Sequence, residues 1–171
     1  MPSHSLVFGP LARHHDRADF ASGSAALDDY LKRAASQDER RNIARLFIAA
    51  ESDSKRIAGF YTLSSFSVGI DSLPQSLTER LPAYREVPAA LIGRLARHLA
   101  YRGQDVGGLL LMDALHRLVT AAQTLAVHVV VVDAKDDAAR AFYESYGFVA
   151  LDAHPRRLVL PMATVAKLLR D

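Results

Sequence analysis

Ala89-Ala-Leu-Ile-Gly-Arg-Leu-Ala-Arg-His-Leu-Ala-Tyr-Arg-Gly-Gln-Asp-Val-Gly-Gly-Leu-Leu-Leu-Met-Asp-Ala-Leu-His-Arg-Leu-Val-Thr-Ala-Ala122 is the stretch on which the fold turns. It opens as a strand: Val87–His98 is apolar enough to be buried and carries Arg94, Arg97 and His98 towards its end. It closes as a helix, because Leu111, Ala114, Leu115, Leu118, Val119 and Ala122 recur at the spacing that lines one helical face. Between the two lies Arg102-Gly-Gln-Asp-Val-Gly-Gly108, a glycine-bearing loop that runs straight into the helix. A helix start presents backbone N–H groups without intrahelical partners and the positive end of the macrodipole. Glycines let a ligand close on the backbone, and Arg102 adds a cation. The arrangement suits a pyrophosphate. Taken alone, the loop fits an ordinary glycine turn between strand and helix equally well. It is not a Walker loop, since no Gly-Lys-Ser/Thr follows, and the Gly-x-Gly-x-x-Gly spacing of dinucleotide sites is missing.

Working outward, Leu6–Leu11 reads as a short edge strand. Ser24 is placed to cap a helix whose Leu27, Tyr30, Leu31 and Ala34 share one face, with Asp28 and Asp29 near its positive end. That helix continues or restarts through the charged Ser36–Asn42. Arg45–Ala50 and Arg56–Val68 predict a hairpin across the Ser52–Lys55 turn. Asp71–Glu86, with two prolines, predicts a loop containing one helical turn at Ser76–Leu81. Ala126–Val132 predicts a strand buried on both faces. Asp136 or Asp137 caps a further helix with Ala139, Phe142, Tyr143 and Tyr146 inward, and Gly147 stops it at C′. Phe148–Leu151 and Arg157–Leu160 are two last strands, and Thr164–Arg170 is a terminal helix. The order predicts an α/β fold: a mixed sheet with helices on both faces, in a single domain over residues 1–171.

Composition narrows the function classes. Half of the 171 residues are apolar and 23% are charged, as in globular proteins and unlike disordered ones. There is no cysteine, which excludes a disulfide framework, thiolate zinc sites and a cysteine nucleophile. No apolar run approaches the length of a membrane span, and Met1-Pro-Ser-His-Ser5 has no secretory pattern, so a cytoplasmic protein is expected. Net charge is only +2, but 17 of the 21 basic residues are arginine, the better bidentate phosphate ligand. A GC-rich genome favouring arginine codons accounts for the same bias. His14, His15 and Asp16 are adjacent and point different ways, so no metal site is expected.

Ala141-Phe-Tyr-Glu-Ser-Tyr-Gly-Phe148 completes a pattern. Together with Leu91-Ile-Gly-Arg-Leu-Ala96 and the Arg102–Gly108 loop, it resembles the GNAT superfamily of acetyl-CoA-dependent N-acetyltransferases. The resemblance covers nearly the whole chain. The N-terminal Asp19-Phe-Ala-Ser-Gly-Ser-Ala-Ala-Leu-Asp-Asp-Tyr-Leu31 is similar to the opening of the GNAT toxins of bacterial toxin–antitoxin systems. The resemblance implies a GNAT fold with six or seven strands and a toxin that acetylates the α-amino group of aminoacyl-tRNA and so stops translation. It also implies a ribbon–helix–helix antitoxin partner and a homodimer. By the same resemblance, pantetheine pairs with the splayed strand at Leu95, Ala96 and Arg97. Arg102, Gly103, Gln104, Asp105, Val106, Gly107 and Gly108 hold the pyrophosphate, and Tyr143 is the general acid on the departing thiolate. Tyr146 is a weaker candidate for that role, and plain packing in the core is the bland reading of Tyr143.

The chain departs from the family pattern twice. Asp105 stands where a glycine is usual, which sets a carboxylate beside the pyrophosphate. Arg97 and His98 replace an apolar and an acidic residue. An RNA substrate needs a basic surface, for which Arg40, Arg41 and Arg45, then Arg94, Arg97 and His98, then Arg156 and Arg157 are candidates. Each of these is also readable as a solvated arginine in a surface ion pair. No glutamate is placed as a base on the central strands, which favours an α-amino group, with a reference pKa of about 7.7–8.0, over lysine at about 10.4. The alternatives are a GNAT acting on protein N-termini or small amines, and a non-catalytic GNAT-like binding or dimerisation module.

Overall fold

The computed structural model describes residues 5–81 and 85–170. The first residues of the N-terminal segment and positions 82–84 of the Asp71–Glu86 loop lie outside them. Among the described residues seven strands share one mixed sheet, in the spatial order Leu6–Gly9, Arg45–Glu51, Ile57–Gly69, Glu86–Arg97, Val129–Asp133, Arg157–Pro161, Val149–Ala150. The chain forms two compact units: Met1–Ser64 with Arg94–Ala114, and Ser65–Gly93 with Leu115–Asp171.

In the first unit, β1 (Leu6–Gly9) pairs antiparallel with β2 (Arg45–Glu51), and β2 with β3 (Ile57–Gly69). Between β2 and β3 Asp53 takes φ +63° at the expected turn, and Ser54 N–H reaches the Glu51 carbonyl at 3.0 Å. Ser24 is an N-cap, its hydroxyl accepting from Leu27 N–H. The helix it starts is not uniform. α1 (Ala25–Asp29) gives way to a π-helical segment, Tyr30–Ala34, and then to α2 (Ala35–Arg40). Ala35 N–H donates to the Tyr30 carbonyl five residues back. The segment turns Tyr30 and Leu31 into a core shared with Phe20, Leu46, Ile48, Ile57, Phe60 and Ala96. Heptad-like spacing identified the buried face but carried no mark of the wider turn.

Gly59 in β3 is fixed by crowding. A Cβ there would lie 2.8 Å from the Ala96 carbonyl oxygen and 2.5 Å from Leu110 Cδ1. Only a residue without a side chain lets these backbones approach so closely.

In the second unit, β4 (Glu86–Arg97) pairs parallel with β5 (Val129–Asp133), from Ala89↔Val129 to Ile92↔Val132. Antiparallel β7 (Arg157–Pro161) follows, flanked by the two-residue β6 (Val149–Ala150). The four valines of β5 are fully buried, as the unbroken β-branched run predicts. The strand starts at Val129 rather than Ala126, since Leu125 is exposed beyond the end of α4 (Val106–Ala121). α3 (Gln75–Thr78) is the one helical turn expected in the long loop. Asp136 caps α5 (Asp137–Glu144) by accepting Ala139 N–H at 2.8 Å. The helix ends in a Schellman turn: Gly147 N–H reaches the Glu144 carbonyl, Phe148 N–H the Tyr143 carbonyl, and Gly147 takes φ +96°. α6 (Met162–Arg170) closes the chain on a buried Val165.

Candidate active site

The candidate residues fall in both units, and each group has its own setting. In the first unit, the last residues of β4 alternate: Ala96 is buried in the core, while Leu95 and Arg97 are half-buried. Their strand continues to Arg97, whereas its register with β5 runs to Ile92. One turn of 3₁₀ helix at Leu99–Tyr101 then leads into the loop. Arg102, Gly103, Gln104 and Asp105 are exposed, and Val106, at the start of α4, is buried. Gly103 takes φ +79° and Asp105 φ +56°. Leu109 N–H bonds the Asp105 carbonyl at 3.1 Å, so Asp105 is the residue from which α4 departs. Aspartate tolerates this left-handed conformation better than most residues. The backbone turn a glycine would make is therefore retained, and what the substitution adds is a charge.

The basic candidates separate. Arg40 and Arg41 are exposed at the end of α2. Arg45 donates to the Glu39 carbonyl (3.1 Å) and to Asn42 Oδ1 (2.6 Å). The Arg94 guanidinium lies 3.5 Å over the Tyr30 ring, whose hydroxyl donates to Asp38 at 2.9 Å. Burial, with the Asp38 hydrogen bond, pushes the Tyr30 phenol up to about 12. His98 does not belong on a basic surface: it is 7% exposed, and both ring nitrogens are engaged within the fold. Sequence cannot distinguish a buried histidine from an exposed one at a strand end, and Asp19, its partner, is 79 residues away.

In the second unit, Arg156 bonds Asp137 (3.1 Å) and the Lys135 carbonyl (2.9 Å). Arg157 grips Asp133 with two bonds, 2.8 and 3.0 Å, across the β5–β7 register and sits over the Phe66 ring at 5.0 Å. For these two the ion-pair reading holds. With Asp133, His154 and Pro155 they line an open cleft of about 410 Å³. Asp133 went unnoticed in the sequence, although it ends the valine run where a strand terminus meets its cross-strand neighbour.

Tyr143 is 5% exposed, its ring edge-on to Phe142 (5.1 Å) and Phe148 (5.7 Å). Desolvation, and secondarily the charge of Asp133, raises its phenol well above the ordinary value. It therefore holds its proton firmly at neutral pH. Tyr146 packs against Phe142 at 5.3 Å and is half-buried. Of the two tyrosines, Tyr143 is the one whose hydroxyl lies in a low-dielectric setting.

The His14 and His15 rings lie 4.1 Å apart. Among the described residues no group of three or more His, Asp or Glu side chains is placed to hold a metal ion. Nor, among them, is any helix long and apolar enough to cross a membrane.

The family description "Acetyltransferase (GNAT) domain" matches residues 42–150. The chain belongs to the GNAT acetyltransferases. Within the family it is 33% identical over 162 residues to the "Probable toxin TacT" of Sinorhizobium fredii, covering 91% of this chain and 90% of that protein. It is 34% identical over 156 residues to a "tRNA-acetylating toxin" of Mycobacterium tuberculosis, covering 91% and 92%. Among solved structures, AtaT complexed with acetyl-methionyl-tRNAfMet is similar at a TM-score of 0.88 and 26% identity, over 96% of this chain and 99% of that one. A tyrosine-to-phenylalanine mutant of KacT aligns at 0.89 and 26%, over 95% and 98%. AtaTR bound with AcCoA aligns at 0.83 and 25%, over 96% and 98%.

Proposed function

We propose that this GNAT protein is the toxin of a type II toxin–antitoxin pair, which uses acetyl-CoA to acetylate the α-amino group of aminoacyl-tRNA and so inhibits translation. The observation that carries the reading is the match to a tRNA-acetylating toxin over 91% of this chain and 92% of the relative. The resemblance to the toxin branch adds a ribbon–helix–helix antitoxin, a homodimer and a cytoplasmic site of action. Each compact unit takes two separate stretches of chain, which favours a single folding domain over residues 1–171.

The roles we assign come from the resemblance to the family, and the local setting of each group supports them. The left-handed turns at Gly103 and Asp105 lead into a buried α4 start. Such a turn presents amides to an anion, so Arg102–Gly108 would bind the pyrophosphate. The amides near Leu95 and Ala96, past the end of the β5 register, would pair with pantetheine and polarise the thioester carbonyl. The attacking amine needs little help. Near pH 7.5 roughly a third of α-amino groups are neutral, against about one lysine in a thousand. Tyr143 would face the leaving sulfur. A thiol ionises near 8.5, so a phenol raised above 10 gives up its proton to a thiolate only uphill. Its role is then chiefly to donate a hydrogen bond as charge builds on sulfur, while the proton released by the amine ends on the thiol. The RNA would be held by Arg40, Arg41 and Arg94, with Arg45, Arg156 and Arg157 contributing where RNA phosphates outcompete their present partners.

Incubating the protein with labelled acetyl-CoA and total charged tRNA tests this. Label on the α-amino group of one or a few aminoacyl-tRNAs is expected. Label confined to protein N-termini or small amines would overturn it.

A further inference from the structure

His98 is the residue whose expected role the structure removes without replacing. Its Nδ1 accepts the Ala100 amide at 3.0 Å, capping the Leu99–Tyr101 turn. Because Nδ1 is an acceptor, the ring proton sits on Nε2. Nε2 lies 3.0 Å from the Asp19 carbonyl and 3.2 Å from Asp19 Oδ2. The ring stands edge-on to Phe20 at 5.6 Å. Backbone bonds run alongside: His98 N–H to the Ala58 carbonyl and Leu99 N–H to the Ala21 carbonyl, both 2.8 Å. The phosphate loop hangs from the turn thus fixed, since Arg102 N–H bonds the Leu99 carbonyl and Gln104 N–H the Tyr101 carbonyl.

We infer that His98 is a positioning residue for the loop: by tying Asp19 to the Leu99–Tyr101 turn, it sets the direction in which the amides of residues 103–106 face an anionic ligand. This rests on the reading of residues 102–108 as the acetyl-CoA pyrophosphate loop. The imidazole is suited to the place because one face must accept and the other donate. A carboxylate there could cap the turn equally well, but it would place a second negative charge near the Asp19 carboxylate, which Arg56 pairs at 3.0 Å. The neutral amide of asparagine caps without that repulsion, and both short side chains lose the Asp19 bonds.

Three variants separate these terms: His98→Asn, His98→Asp, and His98→Asp combined with Asp19→Asn. Acetyl-CoA affinity by calorimetry, steady-state KM and kcat, and amide exchange at Ala100 and residues 103–106 are the readouts. His98→Asp should raise Kd and KM about tenfold, the effect of roughly 1.4 kcal/mol of repulsion between two nearby like charges at a partly screened site, added to the lost Asp19 bonds. Its kcat should change less than twofold, and its loop amides should exchange faster. Adding Asp19→Asn should recover most of the loss, and His98→Asn should fall between. Unchanged loop exchange in His98→Asp, or a double variant no better than the single one, would overturn the inference. So would a lowered unfolding midpoint with Kd unchanged, which marks a purely structural residue. If the wild-type protein binds no acetyl-CoA, the cofactor reading of the loop fails, while exchange without ligand still decides whether His98 positions it.

Discussion

Replacing Asp105 by glycine should tighten acetyl-CoA binding. At φ +56° aspartate sits in the left-handed region, at a cost of roughly 1 kcal/mol that glycine does not bear. Glycine returns about as much through the greater entropy of its unfolded chain and loses a few tenths as a poorer helix cap. Folding stability should therefore change by less than about 1 kcal/mol. The charge is different. A carboxylate about 5 Å from a phosphate repels it by roughly 3 kcal/mol at an effective dielectric of 20, but Asp105 is exposed, and a dielectric nearer 60 reduces this to about 1 kcal/mol. That is roughly a fivefold gain in affinity, larger in dilute buffer and shrinking as salt shortens the Debye length. Calorimetry on both proteins at about 50 mM and 500 mM salt reads all of this. Equal or weaker binding by Asp105→Gly would show that the carboxylate points away from the phosphates and supports the loop. A gain insensitive to salt would show that the benefit is conformational and that the charge argument is mistaken.

Tyr143→Phe should slow acetyl transfer by about 10²–10³-fold, as loss of one hydrogen-bond donor to a charge that develops in the transition state does, and leave acetyl-CoA affinity nearly unchanged; a protein that fails to fold would instead mark Tyr143 as packing. The double replacement Arg40→Ala with Arg41→Ala should weaken tRNA binding and lower the slope of log K against log salt by up to about 1.5, with activity on a minimal aminoacyl substrate retained. The same treatment of Arg156 and Arg157 should change the slope less, since both are committed to carboxylates, and an equal effect would contradict that ordering. Gly59→Ala should cost about 1–3 kcal/mol in denaturant unfolding, because the Ala96 carbonyl it strikes is backbone and cannot swing aside.

Much of this molecule was legible where a residue's neighbours in sequence are also its neighbours in space. The Ser24 cap, the valine strand, the Asp136 cap and the Gly147 stop are all local events. The order of elements followed from them, and with it the mixed α/β sheet; the GNAT fold came instead from the resemblance of the Leu91–Ala96, Arg102–Gly108 and Ala141–Phe148 motifs. What sequence did not carry were pairings made across distance. His98 reads as a surface cation until Asp19 is found against it. Arg157 reads as a phosphate ligand until Asp133 is seen across the ladder. The π-helical segment was hidden for another reason: its buried residues keep a spacing that an α-helix shares, and the extra residue shows only in the hydrogen bond from Ala35 to Tyr30.

That extra residue has a consequence for the basic end of α2. A π turn holds one residue more than an α turn, so a chain shortened by one between Tyr30 and Ala34 can rewind as continuous α-helix without disturbing Phe20 or β2. The residues beyond keep their orientation, because the wide turn itself absorbs the deletion; in a plain α-helix the same deletion would rotate everything beyond by about 100° and draw it back by about 1.5 Å. Arg40 and Arg41 would stay on the same side of the helix. Deleting Ala34 should therefore leave tRNA affinity and its salt slope nearly unchanged, and a loss of either would show that the segment is not a removable insertion. The segment is thus a place where the chain can change length by one residue without re-aiming the basic end of α2.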